Sequence, residues 1–384
     1  MHALTSIVLV LLLTAAGAAQ ETHKVPQDHE TIQAAVAAAA DGDTILISGG
    51  KYPESVTVSG KHNLLIRGKG KVVIEPDSAV GLALTDCSDC TVEKIRVSGG
   101  TPAAFLLVSS TNCIFTKCRS VDSGGAGLRL EGGGDCLFEK CTMSKPGGDG
   151  FTLTTDGVVP THDNDFVKCR VKGGEAGVVV RGHHNSFDHC RFDGPDGTGC
   201  LIDDLAEAHD NSFTSCKVLK AGVTGLRVNG ADNSFTACKI TQAGERGAQV
   251  LSGANNVLDG CKFTKPGSTG VFAAADAANV TVRGCKITKA GNDGIDMEAD
   301  DAVVEDNKVT AAKSDGIEID GDDGAYTGNK ANGCKIDGIV ISAGTGNVLT
   351  FNKAHGNKGF DFDDTVGGGL NTADETNSFG TIGP

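Results

Sequence analysis

Gly127-Leu128-Arg129-Leu130 is followed, 23 residues on, by Gly150-Phe151-Thr152-Leu153, and between them lies Cys136-Leu137-Phe138-Glu139-Lys140-Cys141. Both signatures recur. The first, a small residue and then apolar-x-apolar, also stands at Gly81, Ala104, Gly177, Gly199, Gly225, Gly247, Gly270, Gly294, Gly316, Gly338 and Gly359, in steps of 21 to 27 residues. The second, Asn or Cys and then x-apolar-x-x-Cys, runs in phase with it. It reads Cys113 to Cys118, Asn164 to Cys169, Asn185 to Cys190, Asn211 to Cys216, Asn233 to Cys238 and Asn256 to Cys261; Cys285, Asn307, Asn329 and Asn352 prolong its second column. Alternation with period two makes each triplet a short strand with one buried face. A fixed period of this length is a stacked repeat, and roughly 22 to 24 residues hold three strands and three turns. That is one coil of a single-stranded right-handed parallel β-helix, an all-β solenoid of about a dozen coils. Equivalent residues then stack about 4.8 Å apart as ladders. Buried Asn ladders satisfy turn amides, and Phe and Cys ladders fill the core. A leucine-rich repeat has a similar period but needs a helical half, which no segment here offers.

The ends differ from the repeat. Ile7 to Leu13 is a short apolar run and Ala16-Gly17-Ala18 a small-residue cleavage site, so residues 1–19 read as a signal peptide and the protein as secreted: extracellular, surface-bound or periplasmic. Thr31 to Ala39 is a short amphipathic helix ending near Gly42; with it, residues 20–43 form an N-terminal segment that caps the solenoid. Residues 44–384 are the β-helix, closed by Gly367-Gly368-Gly369 and Asn377-Ser378-Phe379. No later segment is apolar for long enough to insert in a membrane.

The 34 Lys and Arg against 49 Asp and Glu leave a net charge of −15, which argues against nucleic acid, whose phosphates need Lys/Arg stripes. Trp is absent and Tyr occurs twice, so stacking platforms for neutral sugars are scarce. An acidic polysaccharide, recognised through cations and hydrogen bonds, fits the composition better. Fourteen Cys in an exported chain suggest disulfides, but a ladder of parallel Cβ vectors cannot reach the disulfide torsion. Buried free thiols follow, with Cys113/Cys118 and Cys136/Cys141 as the exceptions to test. Cys87-Ser88-Asp89-Cys90 has redox or metal spacing but reads as ladder residues in adjacent turns.

Two coils are longer than the rest, within Thr155 to Asp163 and Asp203 to Asp210, and insertions in solenoids mark binding loops. Counted from the Asn column, His162, His183 and His209 occupy equivalent places in consecutive coils, flanked by Gly134 and Ala231. Near that edge come Arg181, Arg227, Asp203, Asp204 and Asp156. In uronate lyase or C5-epimerase chemistry a cation neutralises the sugar carboxylate and a base takes the C5 proton. Arg181 and Arg227 would bind the carboxylate, one His would be the base, and Asp203 or Asp163 would orient it. Asp204 and Asp156 would add contacts to the sugar. The same three His suit a transition metal; the plain alternative is an exposed turn that tolerates His. Further on, Gly294-Ile295-Asp296-Met297-Glu298 and Gly316-Ile317-Glu318-Ile319-Asp320 stack Asp296 on Glu318 and Glu298 on Asp320. Carboxylates about 4.8 Å apart repel by roughly 3.5 kcal/mol at an effective dielectric of 20. Calcium relieves that repulsion, so these four are candidate ligands; a solvated acidic face is the alternative.

The stretch Thr31-Ile32-Gln33, Gly42-Asp43-Thr44-Ile45 and Gly50-Lys51-Tyr52-Pro53-Glu54-Ser55-Val56-Thr57-Val58 resembles the opening of pectate-lyase-like β-helix proteins, including pectin methylesterases. The later coils resemble the parallel β-helix repeats of carbohydrate-binding and sugar-hydrolase proteins and of NosD-type periplasmic proteins. Asn292-Asp293-Gly294-Ile295-Asp296 is similar to one polygalacturonase motif, but the Gly-His-Gly and Arg-Ile-Lys motifs of that family are missing. The methylesterase likeness ends before any catalytic motif. The resemblance implies the fold and a glycan as ligand, and transfers no catalytic residue. It leaves three functions: a glycan lyase, epimerase or hydrolase; a non-catalytic surface protein binding glycan or calcium; and a NosD-like metal-handling protein.

Overall fold

The computed structural model describes residues 20–203, 206–367 and 369–383, so the expected signal peptide lies outside the described residues, as do Asp204 and Gly368. Every strand pairing is parallel between successive coils: Leu128–Leu130 sits on Phe105–Leu107 and under Phe151–Leu153. The Gly-led strands build a 15-stranded sheet, and two further strands from each coil build a 28-stranded sheet. The fold is the expected parallel β-helix with one short helix, Ile32–Ala38. Thr31 caps that helix by accepting from the Ala34 amide, and the Glu54 carboxylate accepts from the Ile32 and Gln33 amides. Ile32, Ala35 and Val36 point into the first coil. The N-terminal segment also holds a strand, Thr22–Val25, paired with Thr44–Ile47. At the far end Ile339 pairs with Phe362, so the Gly338 column continues at Asp361 and not at Gly359. Ser378–Phe379 still pairs with Lys353–Ala354 as a rung. Among the described residues no helix is long and apolar enough to cross a membrane.

The columns have distinct physical jobs. Many coils, such as the one with Asp210, Ser215 and Lys220, turn at three single left-handed residues, and most of these are not glycine. Asp163, His184 and Asp210 hold the corner after the Gly-led strand with φ of 51°, 54° and 54°. The column glycines are needed for space instead. A Cβ on Gly225 would lie 2.4 Å from the Gly247 carbonyl oxygen and 2.4 Å from Ile240 Cγ2. Inside, Phe115, Phe138, Phe166, Phe187, Phe213 and Phe235 stack along the axis; Phe187 and Phe213 have centroids 4.5 Å apart.

All fourteen cysteines are buried and free, including the two pairs held out as exceptions and Cys87 and Cys90. The ladder thiols donate one coil back, Cys190 to the Phe166 carbonyl at 3.2 Å and Cys216 to Phe187 at 3.2 Å. Where Asn replaces Cys the bond is the same: Asn307 Nδ2 donates to the Val282 carbonyl at 2.7 Å and Asn329 to Val304 at 2.7 Å. This shared task explains why Cys and Asn interchange in one column. The other Asn column adds an amide chain, Asn164 to Asn185 at 3.0 Å, Asn185 to Asn211 at 3.1 Å and Asn211 to Asn233 at 3.1 Å.

Candidate functional site

Two surface places bring chemistry-bearing side chains together. The first is the corner edge beside the Gly-led strands. Bridges from Gly134 to His162 and from His162 to His183 put the column in register. The His162 and His183 rings stack with centroids 5.7 Å apart, and His183 and His209 at 4.9 Å. His162 Nδ1 meets Asp163 Oδ2 at 2.9 Å, and His209 Nδ1 meets Asp210 Oδ2 at 2.8 Å. In the middle coil His184 takes the corner place of those aspartates; its Nδ1 is 2.9 Å from His183 Nδ1. His184, His209 and Asp210 set ligand atoms within 4.8 Å of one another. Burial, and then the neighbouring His209, His184 and His162, hold His183 below the ordinary imidazole value.

The companions expected there are largely committed elsewhere. Arg181 Nη2 bridges to Asp203 Oδ2 at 3.1 Å, and Asp203 Oδ1 accepts from Asn229 at 3.2 Å. Asp156 accepts from the Ser109 hydroxyl at 2.8 Å and from the Val158 and Val159 amides. Those bonds hold its carboxyl below the usual range and fold the first long loop onto itself. Arg227 is exposed on the outward row of the 15-stranded sheet, between Leu201 and Gln249.

The second place is further along that outward row. Asp296 pairs with Glu318 across one rung, and Phe272 precedes Asp296 in the same row. Five rungs, about 24 Å, separate it from the coil of His183, so the two places are separate sites. Ile295, Met297, Ile317 and Ile319 are buried beneath the acids. Burial first, and then Glu318, Asp293, Glu298 and Asp320, push Asp296 up to about 7. Burial also raises Glu318 and Asp320, and Glu318 accepts a hydrogen bond from the Ser342 hydroxyl at 3.0 Å.

Three contributors were not singled out by sequence reasoning, and a fourth, Asp293, entered only within a motif likeness. Asp293 and Asp315, both buried, stand just before the column glycines; the Asp315 amide donates to Asp293 Oδ1 at 3.1 Å. They and Glu318 set carboxylate oxygens within 4.8 Å of one another. Arg246, in the column of Asp293, lies over the Phe272 ring at 3.9 Å. The 22-residue step from Asp293 to Asp315 was visible in the sequence. The pairing of Arg246 with Phe272 was not, because it joins two columns. Asp293, Asp315 and Glu318 are thus close enough to share a cation, and Asp296, Glu298 and Asp320 are their acidic neighbours.

No curated protein sequence matches this chain. Among solved structures, the catalytic domain of a GH87 alpha-1,3-glucanase in complex with tetrasaccharides superimposes with a TM-score of 0.60 at 11% identity, over 71% of this chain and 61% of that domain. The chain thus spans less than two thirds of that relative. The Siphovirus 9NA tailspike receptor binding domain gives 0.56 at 13% identity, over 92% of this chain and 78% of that one. The periplasmic alginate epimerase AlgG gives 0.52 at 10% identity, over 88% and 77%. At these identities the likeness is one of fold. The family profile described as right handed beta helix region matches residues 70–213 and 205–354. Most of the described coils fall within it, and the chain belongs to the right-handed β-helix family.

Proposed function

We propose that this protein acts outside the cytoplasm, binds polysaccharide along the outward face of its 15-stranded sheet, and hydrolyses it at Asp296 and Glu318. One observation carries the reading: Asp296, held up to about 7, faces Glu318 across a single rung. Two carboxyls so placed titrate as a pair and keep one proton between them near neutrality. Glycoside hydrolysis needs that state, one carboxyl to protonate the leaving oxygen and one to act as base or nucleophile. Arg246, half-buried over the covered Phe272 ring, supplies a cation in the row next to the pair. The likeness to a glucanase and an alginate epimerase supports a glycan as the ligand class.

The test is a depolymerisation screen of the mature protein on alginate, pectate, glycosaminoglycans and α-glucan, repeated with Asp296→Asn. New reducing ends, lost in the variant, are expected. An ultraviolet enone product would move the chemistry to a lyase, and activity lost in His183→Ala but kept in Asp296→Asn would move it to the His edge. A second reading rests on the 4.8 Å cluster of Asp293, Asp315 and Glu318: a divalent cation such as calcium sits there and takes part in glycan binding.

A further inference from the structure

The net charge conceals a segregated cationic stripe. On the 28-stranded sheet one outward column runs from Lys217 through Lys239, Lys262, Lys286, Lys308 and Lys330 to Lys353, in unbroken register. Every one is exposed. Among the described residues none of them joins an ion pair, and the nearby Asp259 is engaged by Arg283. Stacking like charges at one rung spacing destabilises a sheet. Six rungs separate the first from the last, about 29 Å. Beside the column lies a second one of Thr241, Thr264, Thr288 and Thr310, half-buried, with their hydroxyl oxygens covered. Lys262, Thr264, Lys286, Thr288, Lys308 and Thr310 line a shallow trough of about 330 Å³.

We infer that this lysine-threonine trough is a binding track for a linear polyanionic glycan, one anionic group to a rung. The inference rests on the proposed glycan function and adds the surface and the charge of the polymer. Periodic cations answer the charge of a polymer with one carboxylate or sulfate per sugar, and the trough between them gives its chain a floor. A single-stranded nucleic acid would need aromatic platforms as well. The corresponding row positions from Leu219 to His355 hold none but that terminal imidazole. The stripe also departs from the expectation that so acidic a chain lacks a Lys/Arg row.

The experiment measures binding of alginate fragments to the full mature protein by calorimetry in chelator, at two salt concentrations, with dextran and oligo-dT as comparison ligands. The variant is Lys262→Gln/Lys286→Gln/Lys308→Gln; the charge-matched control is Lys51→Gln/Lys69→Gln/Lys71→Gln. Expected are salt-weakened alginate binding, a loss of at least tenfold in the track variant, and less than twofold change in the control. Equal loss in both variants, unchanged affinity in the track variant, or equal binding of dextran overturns the proposal. Oligo-dT bound more tightly than alginate through the same lysines overturns the choice of occupant. Hydrolysis of neutral glycan with no alginate binding would overturn the track alone; track binding without any hydrolysis would uphold the track and overturn the proposed catalysis.

Discussion

Asp296→Asn separates a strained functional acid from an ordinary surface carboxyl. Raising a carboxyl from 3.8 to about 7 corresponds to about 4 kcal/mol at 1.36 kcal/mol per tenfold change. Asp296 is only half-buried, so solvent screening reduces the recoverable part to about 2 kcal/mol. The sign follows from proton binding. Between about 4 and 7 the folded state holds this proton and the unfolded state does not, so this group makes stability fall as pH rises through that window, with no further change above it. Asparagine keeps the shape and never ionises. At pH 8 the variant is therefore expected to melt about 3 °C above the parent, at about 2.1 cal/mol/K of unfolding entropy per residue. At pH 4 the difference vanishes. Turnover of whichever glycan the protein cleaves is expected to fall by about 10²- to 10⁴-fold. Thermal melts at the two pH values with a reducing-end assay decide it. A variant melting at or below the parent at pH 8, or 3 °C above it at both pH values, refutes the reasoning.

Asn211 accepts from the Asn185 amide and side chain and donates to the Gly182 carbonyl and Asn233. Asn211→Ala leaves several of these buried groups unpaired, and is expected to cost about 3 kcal/mol and about 4 °C in melting temperature. Thiol titration of denatured, unreduced protein should count fourteen free thiols and almost none in the native state, because all are buried and uncrosslinked; a count near zero after denaturation would show disulfides. His183 should titrate below 6.5 by NMR, so its contribution to stability is complete above that value and is lost as pH falls through the lowered one. His209→Gln should move its midpoint back up, and a midpoint at or above 6.5 in the parent contradicts the stacked edge.

Periodicity exposed the coil because each column repeats one physical task. Gly225 and its equivalents admit no Cβ, the Phe column fills the axis, and Cys or Asn bonds the carbonyl one coil back. The His column was legible for the same reason. Residues outside the period were harder to place: Thr22–Val25 and the last coil lack the Gly signature, so one strand went unseen and Gly359 stood in for Asp361. Arg181 and Asp203 stand one 22-residue rung apart and were both placed at the edge, but as ligand and orienting group and not as an ion pair; the Ser109–Asp156 bond skips a coil and so left no mark in the period. The Lys column was overlooked for a different reason. Summed charge averages over faces, and −15 for the whole chain coexists with seven unpaired lysines in a row.

That segregation sets a condition on any polymer that meets both faces. A uronate chain is drawn to the lysine trough, yet at the acid face it approaches Asp293, Asp296, Asp315, Glu318 and Asp320 with like charge. A divalent cation held by Asp293, Asp315 and Glu318 cancels two of those charges and offers open positions to a sugar carboxylate. Calcium is therefore expected to tighten polyuronate binding at this face and, because it takes Glu318 as a ligand, to slow hydrolysis of neutral glucan. At a concentration one hundred times its dissociation constant it should also stabilise the fold by about 2.7 kcal/mol, a rise of roughly 3 to 4 °C at pH 8. Glu318→Gln should abolish that rise. Protons compete for the same carboxyls, and burial raises Asp315 and Glu318 above the ordinary carboxylate value, so the rise should shrink as pH falls through that raised range. A melting temperature indifferent to calcium and chelator at pH 8 would leave the acid face without a cation. Polyuronate would then have to bind at this face without any charge cancellation, which the crowding of carboxylates around Asp296 opposes.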